Sequence, residues 1–408
     1  MSQETIDTFD SLLLTPQYLA DPYAVFRDMR SKDPVHWSER MNGWVVTRYE
    51  DVKIALQDTR LISGQRLRSY MGQFPEAVQK RMEPLYNNYT KWLVMMDPPN
   101  HTRLRALVNK AFTPRMVEGL RPLIQKLNDE LFDAFEAAGR MDAIKGLAYP
   151  LPASVISEML GIPPEDRQQF NQWADEMTAF LGSGRPKVDL AEAALKSVGE
   201  LTRYFLPIVT ERRENPKEDL ISILVGVEEE GQKITEDEIL AMCIFLLVAG
   251  HETTMALISN GLLALLRYPD QFDKLKNDPS LVGSAVEEFL RYESPLQHQI
   301  RIADEDFDIQ GKAIQQGQRV VLMLGAANHD PEMFPNPDQL DICRSPNKHL
   351  AFGLGKHFCI GAPLARLEGQ MVFTDIMRRF PTLRLENEDI EWRIDTSMRN
   401  PKEMWITF

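Results

Sequence analysis

A cysteine flanked by glycines is the feature of this 408-residue sequence with the clearest chemistry. Cys359 lies in residues 352–361, which read Phe-Gly-Leu-Gly-Lys-His-Phe-Cys-Ile-Gly and precede a helix start, Ala-Pro-Leu-Ala-Arg. Glycine lets a backbone approach a flat ligand closely, and a helix N-terminus directs free N–H groups and positive dipole toward the sulfur. Both features favour the thiolate over the thiol. The segment therefore predicts a thiolate that binds the iron of a macrocycle such as haem.

The alternative is that Cys359 is a buried structural cysteine, which is the ordinary fate of a free thiol. The surrounding pattern favours the ligand, because it resembles the haem-binding loop of the cytochrome P450 monooxygenases. The resemblance covers nearly the whole chain, from residue 21 to residue 368. It implies haem b as the cofactor and Cys359 as its iron ligand, with Phe352, Gly353 and Gly361 shaping the loop.

Composition restricts the class of protein. The net charge of −14 argues against a nucleic-acid surface. Cys243, Cys343 and Cys359 form no paired framework, so we expect a reducing compartment and no disulfides. The amino terminus lacks the pattern of a signal peptide, and no apolar run approaches the roughly 20 residues that span a bilayer. We therefore expect a cytoplasmic protein with no membrane partner.

The pattern of apolar residues predicts a mainly helical fold with small β-sheets, built as a single domain over residues 1–408. The strand-containing portion is expected at about 30–60, 299–324 and the C-terminus, with a hairpin at Asn42 and Gly43. The helical portion is expected at about 100–292 and 360–379. Helices are predicted near 22–30, 101–112, 115–138, 150–161, 165–181, 188–213, 236–266, 280–292 and 360–379. The resemblance implies the cytochrome P450 fold, a triangular helical prism with a long central helix over the haem.

That central helix begins with a capping box, in which Thr235 and Glu238 satisfy each other's backbone N–H groups. Further along, residues 249–254 read Ala-Gly-His-Glu-Thr-Thr, and a glycine inside a helix costs about 1 kcal/mol. Glycine beside a hydroxyl residue lets a helix bulge and hold a small ligand. Alone, such a string is ordinary helix surface.

The family resemblance gives residues 249–254 a role in oxygen activation. It implies that Ala249 and Gly250 lie against the haem and that the Thr253 hydroxyl holds dioxygen. Glu252 then passes protons inward from solvent.

An acid and a base three residues apart, Glu288 and Arg291, form a third signature. As an exposed helical pair they contribute only about 0.2 to 0.5 kcal/mol, and the spacing is common by chance. The resemblance implies instead a buried network that braces the cysteine loop, with Arg344 as its third member.

Haem carries two propionates, which need basic partners. The resemblance implies His101 and Arg105, one helical step apart, together with Arg301 and His357. Each of these residues taken separately is more often a solvated or structural base.

The implied activity is monooxygenation, in which two electrons and dioxygen place one oxygen atom in a C–H bond. By family analogy the electrons come from a separate ferredoxin or flavodoxin with its reductase, since the sequence shows no flavin or nicotinamide domain. A docking face is expected at a basic island, with solvated charges as the alternative; its members are Arg103, Lys110, Arg115, Lys348, Lys356 and Arg366. A peroxide-driven peroxygenase and a non-catalytic haem sensor or carrier are the alternative functions, and the Glu252–Thr253 pair argues against both.

The resemblance also implies a substrate pocket bounded by residues 61–95, 182–186 and 296–299. Its members are expected to be Phe245, Val248, Leu296, Gln297, Gln299 and Met398. An apolar lining favours a lipophilic substrate such as a steroid, terpenoid, fatty acid or macrolide-like compound. Two places depart from the family pattern: His329 stands where many bacterial relatives have arginine, and residues 398–401 differ from the usual ending.

Overall fold

The capping box predicted at Thr235 opens the longest helix of the computed structural model, Glu236–Arg267. The N–H of Thr235 donates to Glu238 Oε2 at 2.9 Å, and the N–H of Glu238 donates to Thr235 Oγ1 at 3.3 Å. This helix is long and apolar enough to cross a membrane, but 78% of its most apolar window is buried inside the protein. A core helix passes the same test, so the apolar run is weak evidence for a membrane span.

The structure describes residues 9–13, 15–182, 186–229, 231–395 and 397–408. About 61% of it is helical, which confirms the predicted class. In chain order the helices are α1 Pro16–Ala20, α2 Pro22–Lys32, α3 Tyr49–Gln57, α4 Gln65–Met71, α5 Glu76–Arg81, α6 Glu83–Tyr89, α7 Asn100–Ala111, α8 Pro114–Gly119, α9 Arg121–Ala138, α10 Pro150–Met159, α11 Arg167–Gly182, α12 Val188–Glu214, α13 Leu220–Gly226, α14 Glu236–Arg267, α15 Pro269–Asn277, α16 Val282–Tyr292, α17 Leu324–Asn328 and α18 Ala362–Arg379. Single turns of tighter or wider helix lie at Leu93–Met95, Ile144–Ala148, Pro164–Asp166, Pro279–Leu281 and Gly355–His357.

Short strands form four small sheets among the described residues. The strands are β1 Val35–Ser38, β2 Gly43–Val46, β3 Leu61–Ile62, β4 Arg140–Asp142, β5 Glu228–Glu229, β6 Gln232–Lys233, β7 His298–Ala303, β8 Phe307–Ile309, β9 Lys312–Ile314, β10 Arg319–Met323, β11 Arg384–Leu385 and β12 Trp405–Thr407. The largest sheet has the order β1-β2-β10-β7-β3, and the others are β11-β12-β4, β5-β6 and β8-β9. The hairpin predicted at Asn42 is confirmed, because β1 and β2 pair antiparallel and Asn42 adopts a φ of 47° in the turn.

The chain divides into two compact units. The first unit comprises Gln125–Tyr149, Thr253–Phe408 and the described residues up to Ile62. It includes the five-stranded sheet, the part of α14 from Thr253 onward, and the helices α16 and α18. A Cβ on Gly261 of α14 would lie 2.8 Å from the rings of Phe289 and Phe373, so only glycine permits this close packing.

The second unit comprises Ser63–Ile124 and Pro150–Glu252. In it, α11 packs on α12, where the ring of Phe170 lies 4.6 Å from Tyr204 and 5.5 Å from Phe205. Whether the two units act as a single domain over residues 1–408 stays a prediction.

Two helix predictions were wrong in detail. The stretch predicted as one helix over 115–138 is two helices, α8 and α9, with Leu120 between them. Pro122 explains the break, because proline has no N–H to donate and is best placed in the first turn of a new helix. The short helices α4 to α6, within the predicted pocket wall of residues 61–95, were missed because none is long enough to show a clear period.

Candidate active site

The cysteine loop, residues 352–361, is shaped by two residues with left-handed backbone. Gly353 and Gly355 have φ values of +67° and +71°, a region that residues with a side chain rarely adopt. The N–H of Cys359 donates back to the carbonyl of Phe352 at 3.0 Å, which closes the loop. His357 lies half-buried in the single turn Gly355–His357. The Cys359 side chain is left partly exposed.

The loop leads directly into α18. Gly361 is the residue before the helix, and a Cβ on it would lie 3.9 Å from Cys359 Sγ. The sulfur therefore sits beside the first turn of an 18-residue helix, where free N–H groups and the helix dipole favour negative charge.

A cation in the second turn of α18 adds to this environment. Arg366 makes two hydrogen bonds to Glu287, from Nε to Oε1 at 2.7 Å and from Nη2 to Oε2 at 2.8 Å. The Glu287 contact raises the pKa of Arg366 against the effect of burial, and Cys359 adds to the rise. The guanidinium also lies over the Phe352 ring, 4.6 Å from its centroid. Arg366 thus connects the loop to helix α16.

Glu287 receives a second partner from the segment before the loop. The Nε2 atom of His349 lies 3.1 Å from Glu287 Oε2, while His349 Nδ1 accepts the N–H of Ala351. Burial raises the pKa of Glu287, but the contacts with Arg366 and His349 outweigh it and lower the pKa to about 2. Sequence reasoning missed Glu287 and His349. The available signal was a second acid directly beside the predicted Glu288.

Glu288 is the fully buried centre of a separate network. Arg291 donates to both of its carboxylate oxygens, at 2.8 and 2.7 Å, and both side chains have no exposed surface. Arg344 Nε donates to Oε2 at 3.0 Å, and Asn347 Nδ2 donates to the same oxygen at 3.1 Å. The N–H of Asp341 donates to Oε1 at 2.9 Å. The structure therefore brings together the three residues that the sequence grouped, and it adds Asn347 and Asp341.

Strand β7 presents two predicted site residues on one face. Arg301, only 3% exposed, donates from Nη2 to Gln299 Oε1 at 2.8 Å. A Cβ on Gly353 of the cysteine loop would lie 3.1 Å from Gln299 Nε2. Gln299 thus lies between Arg301 and the cysteine loop.

Gln297, one of the predicted pocket residues, is buried beside the backbone. Its Nε2 donates to the carbonyl of Ser294 at 2.7 Å, and its Oε1 lies where a Cβ on Gly325 would stand. Its place in the pocket stays a prediction. Leu296 pairs with Met398 in an isolated antiparallel bridge.

In the second unit, His101 and Arg105 lie four residues apart on α7. His101 is buried, and Arg105 is half-buried with its Nε donating to Asn109 Oδ1 at 3.0 Å. Phe245 and Val248 of α14 are buried, and the Phe245 ring lies 5.4 Å from Trp92, which sequence reasoning did not single out. Residues 183–185 of the predicted pocket loop lie outside the described residues.

The oxygen-activation motif lies on an uninterrupted stretch of α14. Ala249, Gly250, Glu252 and Thr253 are half-buried, and Thr254 is buried. Residues 249–254 lie inside the helix Glu236–Arg267, and a bulge at Gly250 stays a prediction. A Cβ on Gly250 would lie 3.4 Å from Ile156, so the glycine allows close packing on α10. A glycine permits a bulge without imposing one.

Comparison with known proteins identifies the family. The cytochrome P450 family model matches residues 37–408. A biotin biosynthesis cytochrome P450 from Bacillus subtilis is 39% identical over 405 residues, which span 98% of this chain and all of the relative. The chain belongs to the cytochrome P450 family.

Solved structures agree with this assignment. P450BioI, in complex with an acyl carrier protein bearing hexadec-9Z-enoic acid, superposes with a TM-score of 0.89 at 37% identity, covering 96% of this chain and 99% of that one. CYP109E1 from Bacillus megaterium, in complex with testosterone, gives a TM-score of 0.83 at 36% identity, covering 95% of this chain and 99% of the neighbour. The predicted P450 fold is confirmed. The chain is a haem-dependent monooxygenase of this family.

The residues around Cys359 fit a haem thiolate. The loop provides a partly exposed sulfur, a helix N-terminus, a nearby cation and two glycines in left-handed conformation, while the adjacent strand provides the buried Arg301. By contrast, Cys243 of this P450 is buried in α14, and burial raises its pKa to about 12. The surroundings of the two thiols thus favour a thiolate at Cys359 and a neutral thiol at Cys243.

The predicted basic island needs correction at two residues. Arg103 is paired with Glu238, and Arg366 is paired with Glu287, so neither offers a free charge. Lys110 donates to the carbonyl of Glu228 at 3.1 Å. Arg115 and Lys348 are exposed, and Lys356 is half-buried. The sequence could not reveal these acidic partners, which are distant along the chain.

His329, the predicted departure from the family pattern, is buried in the first unit. Its ring stacks on Tyr23 at 3.9 Å, and its Nδ1 and Nε2 lie 3.1 Å from Asp338 Oδ1 and 2.8 Å from the carbonyl of Tyr292. Burial lowers the pKa of His329, although the Asp338 contact opposes it. The histidine thus fills a structural position.

Proposed function

We propose that this P450 inserts one oxygen atom from dioxygen into a lipophilic small molecule, using electrons from a separate ferredoxin or flavodoxin. The observation that carries the proposal is the environment of Cys359. A partly exposed cysteine beside a helix N-terminus, with Arg366 nearby, is suited to remain a thiolate. That thiolate is the protein's ligand to haem iron.

Bound haem supplies the redox chemistry that activates dioxygen. The chain's own residues hold the haem and exclude water. We assign the propionate contacts to four basic residues, each carried over from its matching position in the family: His101, Arg105, Arg301 and His357. The residues that approach the macrocycle are assigned as Phe352, Gly353, Gly361, Ala249 and Gly250. The network of Glu288, Arg291 and Arg344 keeps the segment before the loop in place.

Proton delivery is assigned to two neighbouring side chains on α14. Thr253 Oγ1 holds a proton next to the reacting oxygen, and the Glu252 carboxyl replaces that proton from solvent. Both residues are half-buried. A neutral hydroxyl next to an ionisable acid along the chain is the smallest arrangement that can relay a proton.

The substrate is proposed to be lipophilic because the assigned pocket residues are largely apolar. They are Phe245, Val248, Leu296, Gln297, Gln299 and Met398, and four of the six are hydrocarbon or thioether side chains. The neighbouring structures that contain testosterone and a hexadecenoyl chain support steroids and fatty acyl chains as first candidates. Terpenoids and macrolide-like compounds belong to the same chemical range.

The electron donor is proposed to be a small soluble protein, and the enzyme is expected in the cytoplasm. Lys110, Arg115, Lys348 and Lys356 remain as candidate docking charges. Because exposed charges attract a partner only over about a Debye length, the reduction rate should fall as salt increases. A rate that stays constant with ionic strength would remove these residues from the docking surface.

Two other functions remain as alternatives. A peroxide-driven peroxygenase needs no proton relay, and a haem sensor or carrier needs only the cysteine. The Glu252–Thr253 pair favours the dioxygen-dependent enzyme over both. A comparison of product formation with hydrogen peroxide and with ferredoxin plus reductant separates the three functions.

The first test is the absorption spectrum of the purified, reduced protein under carbon monoxide. A Soret band shifted strongly to the red is expected for wild type and should be lost in Cys359→His. A band typical of histidine ligation in the wild type would refute the assignment. Titration of the ferric protein with testosterone, and with hexadec-9-enoic acid both free and attached to acyl carrier protein, then identifies the substrate class.

A second test addresses the proton relay. In a ferredoxin-coupled assay, Thr253→Ala should consume reductant but release hydrogen peroxide in place of product, with a loss of coupling of about tenfold or more. Thr254→Ala is the matched control, because it removes the neighbouring, buried hydroxyl. Equal coupling in both variants would exclude Thr253 from proton delivery.

A further inference from the structure

The segment near the C-terminus is anchored by a buried arginine that the family assignment leaves without a role. Arg399 is 6% exposed, and all three of its guanidinium nitrogens donate hydrogen bonds. Nε donates to Glu293 Oε2 at 2.7 Å, Nη1 to the carbonyl of Leu19 at 2.5 Å, and Nη2 to the carbonyl of Ala20 at 3.1 Å. The guanidinium also lies 3.5 Å from the centroid of the Trp392 ring. A planar, five-donor group is required to make these contacts at once.

Glu293 is fixed from a second direction. The Tyr23 hydroxyl donates to Glu293 Oε2 at 2.8 Å, so a cation and a phenol share one carboxylate oxygen. Burial first, and then the Glu293 carboxylate, raise the pKa of Tyr23, which keeps the phenol protonated as a donor. The position of Arg399 is therefore set by helix α2 and by the end of helix α16.

The main chain around Arg399 holds two predicted pocket residues. The N–H of Arg399 donates to the carbonyl of Pro295 at 3.0 Å, and its own carbonyl accepts from Asn260 Nδ2 at 2.8 Å. Immediately before it, Met398 bridges to Leu296. Leu296 and Met398 thus form a pair whose geometry depends on Arg399.

The approach to Met398 is braced as well. Asp395 Oδ1 accepts the N–H groups of Ser397 and Met398, at 2.7 and 3.0 Å. The N–H of Gln297 donates to the carbonyl of Ser397 at 2.7 Å. Short-range turn contacts fix the local shape of this segment, whereas Arg399 fixes its place relative to α1, α2 and α16.

We propose that Arg399 is a positioning residue for substrate specificity, which holds Met398 and Leu296 as one wall of the substrate pocket. The inference rests on the proposed function, because it takes those two residues as pocket residues. Arg399 does not touch the substrate. Because Arg399 is hydrogen-bonded to the Leu19 and Ala20 carbonyls and to Glu293, the positions of these groups determine the position of the pocket wall.

The test uses two azole probes that bind ferric haem iron through the same nitrogen. Imidazole is small, whereas N-dodecylimidazole carries an alkyl chain that must lie along the pocket wall. Spectral titration gives the Kd of each probe, and their ratio measures the contribution of the alkyl chain. In Arg399→Gln this ratio is expected to change by about tenfold, since hydrogen bonds to a charged group contribute about 1.5 kcal/mol or more.

A double-mutant cycle shows whether Arg399 acts through Met398. Met398→Ala should itself weaken N-dodecylimidazole, and Arg399→Gln should then add less than about twofold, because two residues in one pathway are not additive. Lys402→Gln is the matched control, since Lys402 lies three residues further on and makes an exposed ion pair with Glu391. It should leave both Kd values within about twofold of wild type.

The outcomes separate this inference from the proposed function. A wild type without a thiolate-type Soret band overturns both. An intact band with an unchanged Kd ratio in Arg399→Gln, or equal effects of Arg399→Gln with and without Met398→Ala, overturns only the role of Arg399. If Arg399→Gln does not fold, Arg399→Lys retains the charge facing Glu293 and must still shift the ratio, by about threefold, for the inference to stand.

Discussion

Two neighbouring helices of the first unit bury carboxylates in opposite ways. On α16, Glu288 is surrounded by Arg291, Arg344 and Asn347, and it is fully buried. On α18, Glu368 is 1% exposed, and within the described part of the chain no donor reaches its Oε2. Glu287, next to Glu288, is also paired, with Arg366 and His349. The comparison separates the effect of burial from the effect of partners.

Burial by itself favours the neutral acid. It raises the pKa of Glu368 to about 8, whereas the partners of Glu287 lower its pKa to about 2 in spite of burial. A carboxylate at the core of this P450 is therefore a charged brace only where arginine or histidine meets it. Without such a partner it is a buried acid that destabilises the fold whenever it ionises.

The largest effect on stability is expected when Glu288, the carboxylate with charged partners, is replaced. Glu288→Ala leaves Arg291 and Arg344 buried without their counter-charge, which costs about 3 to 5 kcal/mol. We expect loss of haem or failure to fold, measured as the ratio of Soret to protein absorbance and as the melting temperature. Glu130→Ala is the control, because Glu130 is exposed on α9 with only a 3.8 Å contact to Lys126. A Glu288→Ala variant with the haem content of wild type would refute the bracing role.

Replacement of Glu368 should raise the stability of the protein instead of lowering it. The pKa of Glu368 is raised above its ordinary value of 4.5 to about 8, so the folded state retains a proton that the unfolded chain releases. Stability should therefore fall as pH rises from 4.5 to 8. Glu368→Gln removes this slope and should stabilise the protein at pH 8 by about 2 to 4 kcal/mol. Urea unfolding of the holoprotein at several pH values measures this slope of stability against pH. If Glu368→Gln has the same slope as wild type, Glu368 does not have the raised pKa.

The third expected effect is a loss of stability at low pH that depends on Glu287. Its pKa is lowered from 4.5 to about 2, so its stabilisation is fully present above pH 4.5 and is lost as pH falls toward 2. Glu287→Gln should lower stability by about 1 to 2 kcal/mol at neutral pH, a value reduced for the partial exposure of the pair. The difference in melting temperature from wild type should shrink between pH 5 and pH 3. A difference in melting temperature that is constant with pH would mean that the charge of Glu287 does not contribute to stability.

The smallest effect tests the geometry of the pair. Arg366→Lys keeps the positive charge but loses the two-pronged contact with Glu287, which should cost about 0.5 to 1 kcal/mol. The melting temperature measures this loss, and the Soret position should not change. In a Glu287→Gln background the same substitution should have no further effect on stability. An equal loss in both backgrounds would assign the role of Arg366 to its contact with Phe352.

Sequence reasoning grouped the residues that local spacing marks, and the family resemblance added the distant Arg344. Glu288 and Arg291 are three residues apart on one helix, and the cysteine loop is a continuous segment. The contacts that it missed join distant positions, such as Glu287 with Arg366 and Glu293 with Arg399. A periodic pattern shows which face of a helix is buried, but it does not show which side chain comes to meet that face.

The same distinction holds for the fold. The capping box at Thr235 and the hairpin at Asn42 were predicted correctly because each depends on contacts within a few residues. By contrast, the close packing of Gly250 against Ile156 joins positions that are distant along the chain, and no local pattern indicated it. A bulge at Gly250 stays a prediction.

The sequence by itself determined that this chain is a mainly helical protein with one cysteine in a ligand-forming loop, because backbone propensities and glycine positions act locally. The tertiary structure decided which charged side chains have a partner of opposite charge. It pairs Arg103 with Glu238 and Arg366 with Glu287, and it ties Arg399 to the carbonyls of Leu19 and Ala20. Among the described residues it brings no hydrogen-bond donor to Glu368 Oε2. Ionisation inside a protein depends on the partners within a few ångströms, and only folding brings those partners together.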